Sequence, residues 1–144
     1  MPMKVNILNR ITFLLSLFGL IIAVYVLQSW LRHTTIVCLT GGCETVKKSI
    51  YSYPFGVPVP AVGLVGYSII AVLSFLRTVN HALSTKLLTP ILGIAAFGVL
   101  FVSWFTYTEI FIIHGVCMWC AISAVNMLVI FILTVTNFLR RNSP

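Results

Sequence analysis

Four stretches of this 144-residue chain are apolar over the length that crosses a bilayer, and they leave room for little else. They run over about 11–31, 60–76, 87–113 and 117–139. A helix needs roughly 20 apolar residues, with a range of about 17–25, to span the hydrocarbon layer. Inside lipid every backbone N–H and C=O must be satisfied within the protein, which restricts spans of this length to helices. Hydrophobic residues make up 60% of the chain and charged ones 8%, whereas soluble domains carry about a quarter charged. The expected fold is an all-α integral membrane protein. One membrane domain, 1–144, holds a four-transmembrane-helix bundle, and a loop at 32–59 forms a short outer half-helix lid between the first two spans. The first stretch follows Lys4 and Arg10 in the manner of a signal peptide. It is too long for one and lacks a small-x-small cleavage site, so it reads as a retained span.

An even number of spans puts both termini on one side, together with the connection between spans two and three. That side carries Lys4, Arg10, Arg77, Lys86, Arg140 and Arg141, against Arg32, Lys47 and Lys48 on the other. Positive residues near span ends mark the cytoplasmic side. The termini are therefore expected to be cytoplasmic, in a multi-pass protein of the cell (inner or plasma) membrane. The formal net charge of +7 is accounted for as a topology signal, and no nucleic-acid partner is implied.

This topology brings all four cysteines to the outer face. Cys38 and Cys43 follow span one, and Cys117 and Cys120 open span four. An extracytoplasmic compartment permits disulfides, and the absence of cysteine from mid-span positions argues for reactivity rather than core filling. C-x-x-C at a helix start places both sulfurs on one face, and the unpaired N–H groups there favour a thiolate at Cys117. Cys120, one turn deeper, is expected to face the interior of the bundle. Three readings compete: a structural disulfide staple, a metal site and redox exchange. Four-cysteine zinc sites belong to knuckles in soluble modules, and haem attachment needs a histidine where Ala121 stands. Redox exchange is favoured, with no metal.

The loop pair sits in CLTGGC, where Gly41 and Gly42 provide the flexibility of a dithiol that meets two partners. A mobile pair beside an anchored pair describes an electron relay. Its acceptor should be lipid-soluble and take two electrons, which a quinone does; no G-x-G-x-x-G fingerprint is present. The GLVG at 63–66 reads as small-residue helix packing. His33 and His114 read as interfacial polar residues. Glu109, near the outer end of span three, reads as an inexpensive interfacial carboxylate with a candidate role in proton transfer. Tyr51, Tyr53 and Phe55, in the lid SIYSYPFGVP, suit the headgroup region.

CLTGGC, then SIYSYPFGVPVPAVGLVGYS leading into span two, then CMWC opening span four, resemble the vitamin K epoxide reductase family in its bacterial and archaeal four-helix members. The DsbB-type membrane proteins are analogous but carry their C-x-x-C in the first outer loop. The resemblance implies that Cys117 and Cys120 are the active pair and that Cys120 meets the quinone (ubiquinone, menaquinone or similar). It implies that Cys43 exchanges with Cys117, that Cys38 meets the external partner, and that Ser49 lies beside the quinone, with Phe55 a further candidate quinone contact. Many relatives have a fused thioredoxin-like domain; this sequence does not, so a separate thioredoxin-fold (DsbA-like) partner is expected. Vertebrate members carry an asparagine and a tyrosine where Val59 and Ala124 stand, which favours ordinary quinone reduction over epoxide reduction. The alternatives are an epoxide reductase proper and a non-catalytic membrane protein stapled by outer-loop disulfides.

Overall fold

The computed structural model describes residues 2–32, 43–80 and 84–142. Four long helices carry the bundle: α1 (Pro2–Leu31), α3 (Val59–Val79), α4 (Ser84–Thr108) and α5 (Met118–Asn142). Each contains an apolar segment long enough to span a membrane. A short helix, α2 (Cys43–Lys48), and two 3₁₀ turns, Ile50–Ser52 and Pro54–Gly56, lie between α1 and α3. Helix α1 packs on α3 and α5, and α4 packs on the same two neighbours, so the four helices form a ring.

Two packing layers hold the ring together. One gathers Tyr67, Ile70, Ile91, Ala95, Met127 and Ile130. The other, at the cysteine end, gathers Ile22, Val26, Trp30, Val46, Phe105 and Cys117. Only 17% to 33% of each span is buried inside the bundle. Leu14, Ile21, Leu100 and Val125 are each more than 60% exposed, and an outer surface of this kind requires lipid rather than water. Hydroxyl residues on these helices satisfy themselves by donating to a carbonyl one turn back: Thr12 to Leu8, Ser68 to Leu64, Thr108 to Trp104 and Thr134 to Ile130, at 2.7–2.9 Å.

Close approach between helices occurs where the sequence places a glycine, though not at the pair expected. A Cβ on Gly19 would run into the Tyr67 ring, and one on Gly98 would lie 2.8 Å from Met127 Sδ. Gly63 and Gly66 of GLVG do not pack helix on helix: a Cβ on either meets nothing within 4 Å. The expectation of small-residue packing there is corrected, because the space beside them is a cavity.

Candidate active site

The last turn of the α4 segment is where the local fold departs most from a plain span. Glu109–Ile113 forms a π-helical turn, closed by His114 in the left-handed conformation (φ 60°, ψ 34°). The N–H groups of His114 and Gly115 both donate to the Glu109 carbonyl, the latter at 3.1 Å. A π turn adds one residue to the helical repeat and so rotates what precedes it. The Glu109 side chain is turned inward, with 1% of its surface exposed. An interfacial carboxylate was expected here; packing makes it one of the most buried side chains. His114 is exposed and contributes its backbone as a cap.

Cys117 stands immediately before α5 and its carbonyl accepts the first helical bond, from Ala121 N–H at 3.0 Å. Its thiol is fully buried and is lowered from 9.0 to about 7. The Cys120 thiol bonded to it contributes most, and the N–H groups of Cys120 and Trp119 add to the effect against the cost of burial. This is the thiolate-favouring geometry of a helix N-terminus. Cys120, one turn on, contacts Cys117, and the two sulfurs are not joined in a disulfide. The Glu109 carboxyl lies beside the Cys120 thiol and receives the Cys117 N–H.

The two sulfurs face different neighbours. Cys117 belongs to the buried cluster with Val46 of α2, and α2 packs on the π turn. Helix α2 opens with Cys43, whose backbone alone is described. Cys120 instead lies in the wall of a cavity of about 450 Å³ between α1, α3, α4 and α5. Val59, Gly63, Gly66, Phe101 and Phe105 line it, with Tyr67, Thr106 and Ser123 as polar groups. The Tyr67 hydroxyl donates to the Ser123 carbonyl at 3.0 Å and lies 3.0 Å from Ser123 Oγ. The Asn126 amide reaches the same hydroxyl and donates to the Leu15 carbonyl at 3.0 Å. A concave, apolar site of this size with a few placed polar groups suits a small lipophilic ligand. The fit extends to a quinone ring: flat apolar walls, one reactive sulfur, and hydroxyl groups within the same enclosure.

Cys38 and His33 lie outside the described residues, as does the side chain of Phe55. Ser49 does not line the cavity; it caps the first 3₁₀ turn, its hydroxyl accepting from Tyr51 N–H at 3.2 Å. The lid is seated by Tyr53 on Trp30, ring centroids 5.5 Å apart, and by Val57 and Val59 at the cavity wall. Ala124 is not part of that wall, whereas Val59 is. Among the described residues no group of three or more His, Cys, Asp or Glu is placed to hold a metal. Sequence reasoning did not single out Tyr67, Ser123 or Asn126. The available signal was a phenol and an amide inside apolar spans, where such groups are expensive unless they are used or paired.

With the dithiol and its cavity described, the comparison that decides the family is a match of residues 10–135 to the model of the vitamin K epoxide reductase family. The chain belongs to that family. No curated protein matches it. As a vitamin K epoxide reductase family member it is a multi-pass membrane oxidoreductase, of the general class that couples thiols and disulfides to quinones.

Proposed function

We propose that this family member forms disulfides. It takes an electron pair from the dithiol of a thioredoxin-fold (DsbA-like) partner outside the cytoplasm and passes it to a membrane quinone. The observation that carries the reading is the division of the C-x-x-C pair: Cys120 in the wall of the apolar cavity, Cys117 packed toward the helix that begins with Cys43. Electrons would enter at Cys38–Cys43, move to Cys117–Cys120 by thiolate attack through a mixed disulfide, and leave from Cys120. The balance is dithiol plus quinone giving disulfide plus hydroquinone. The topology expected from the positive residues keeps the termini in the cytoplasm and all four cysteines outside.

Cys117 is the exchanging sulfur in this scheme, because its thiol is lowered to about 7 by the Cys120 thiol and the N–H groups of the helix start, and the thiolate is the attacking species. Trp119, between the two cysteines, is held by Tyr25 of α1 with ring centroids 5.1 Å apart, which anchors the pair. Of the quinone contacts that the resemblance implies, Cys120 is supported by its place in the cavity. Ser49 would act through the lid it caps. Val59 puts an aliphatic side chain in the wall where vertebrate relatives have an amide, which supports a simple quinone over an epoxide as substrate.

The test is a trapped bridge. In Cys120→Ala nothing remains at the helix to resolve a bond to Cys117, and in Cys38→Ala nothing remains in the loop. Both variants are expected to accumulate a Cys43–Cys117 disulfide, read by mass spectrometry of non-reduced peptides. A Cys38–Cys117 bond in Cys120→Ala would overturn the assigned order, and no bridge in either variant would contradict the relay.

A further inference from the structure

Dithiol oxidation by a quinone moves two protons as well as two electrons, and the sulfur next to the cavity is half-buried in a mostly apolar wall. One group beside it can hold a proton. Glu109 has 1% of its surface exposed, lies against the Cys120 thiol, and leaves Oε1 without a hydrogen-bond partner of good geometry. Apart from Glu44 of α2, it is the only carboxylate in the sequence. A buried carboxyl with an unsatisfied oxygen costs stability and needs an explanation. The π turn that swings it inward and the Cys117 N–H that holds it make its position a built feature.

From this geometry we infer that Glu109 is a catalytic residue, the proton acceptor and donor for Cys120 during quinone reduction. The inference rests on the quinone reading above. When the two sulfurs join and their electron pair passes to the quinone, the Cys120 proton moves to the Glu109 carboxylate. Glu109 stands behind Cys120 and outside the cavity wall, so the carboxylic acid passes that proton by way of a water to one oxygen of the hydroquinone. The second oxygen takes a proton from water at the cysteine end, equal in number to the one Cys117 has released. Two thiol protons and two electrons leave the protein, and the hydroquinone gains two of each.

The groups that face Glu109 are Cys117 and Cys120 from the start of α5. Helix α2, packed on the same turn, carries Cys43, Glu44, Lys47 and Lys48. Lys47 Nζ is directed at the Ser29 carbonyl at 3.5 Å. His114 adjoins the turn but is exposed.

The experiment is a single turnover of the full chain, reduced with dithiothreitol, freed of reductant and mixed with a short-chain ubiquinone analogue in detergent across a range of pH. General acid–base catalysis contributes about 10²- to 10⁴-fold, and Glu109→Gln is expected to lose quinone reduction on that scale. The rate of the wild-type protein should fall toward acid as the carboxylate and the Cys117 thiolate are protonated. Glu109→Gln should be slow across the whole range and keep only the acid limb that protonation of the Cys117 thiolate imposes, and Glu109→Asp should restore part of the rate. Cooperative unfolding of the variant in detergent, as for the wild-type protein, separates loss of the proton carrier from loss of the fold. An unchanged rate in Glu109→Gln would overturn the role. If Glu109→Gln does not fold, a wild-type profile with no acid limb, or a Glu109→Asp profile that superimposes on it, would do the same. A wild-type protein that oxidises its dithiol with no quinone loss would overturn the relay itself, a result distinguishable from failure of Glu109 alone.

Discussion

The two ends of the bundle each bury an ionisable side chain, and they treat it differently. At the end away from the cysteines Arg77, 7% exposed, donates to Asn9 Oδ1 at 2.8 Å. Asn9 Nδ2 in turn donates to the Ser74 carbonyl at 3.0 Å and to Thr78 Oγ1 at 2.7 Å. That circuit ties α1 to α3 and gives the guanidinium a defined place. At the cysteine end Glu109 is more deeply buried, leaves one oxygen unpartnered, and sits against a dithiol beside a cavity. Burial of charge costs several kcal/mol unless it is paired. One end uses its polar groups as a fastening. The other leaves a polar group able to change its bonding, which is what a proton carrier requires.

The largest expected separation between the ends is in stability. Asn9→Leu removes a hydrogen bond to a charged group, worth about 1.5–3 kcal/mol. Thermal or denaturant unfolding in detergent should register a loss of that size, with quinone reduction per folded molecule unchanged. Loss of activity without loss of stability would break the comparison. Next in size is the cavity. Gly66→Leu adds a side chain where a Cβ meets nothing within 4 Å, so the fold should hold while the side chain occupies ligand space. We expect KM for quinone to rise on the order of tenfold with dithiothreitol reduction of the disulfide unaffected.

A subtler test addresses the thiol itself. Cys117 is lowered to about 7, with the Cys120 thiol as the largest contributor, so its alkylation by iodoacetamide should rise through that pH and level off above it. In Cys120→Ala the midpoint should move back up toward 9.0, the ordinary value, as followed by mass spectrometry of the Cys117 peptide. An unmoved midpoint would assign the lowering to the helix start alone.

The parts of this architecture that were legible in the sequence are those set by local pattern. Long apolar runs specify helices because lipid offers the backbone no alternative, and C-x-x-C ahead of such a run puts one sulfur at the helix mouth and one a turn inward. What depends on packing was not legible. Glu109 looked interfacial because its position along the span is near an end, and only the π turn and the fit of α2 over it decide that it faces in. Gly63 and Gly66 have the spacing of a helix contact, yet the neighbouring helix stands back from them, while the tight approach falls on Gly19 against Tyr67. Ser49 was matched to a ligand contact, but a serine ahead of a short turn is also a natural cap, and that is how its hydroxyl is engaged. Tyr67 and Asn126 went unremarked because hydropathy averages over them.

The central claim is that the Cys117–Cys120 dithiol delivers its electron pair to a quinone in the adjoining cavity. It is tested most directly with a Cys38→Ala, Cys43→Ala variant, in which the helix pair is the only dithiol left. The reduced variant is placed in lipid nanodiscs without oxygen and mixed with quinone. The account predicts one hydroquinone formed for each Cys117–Cys120 disulfide, counted by quinone absorbance and by thiol alkylation on the same sample. A dithiol that stays reduced in the presence of excess quinone, in a variant that still unfolds cooperatively, would contradict it.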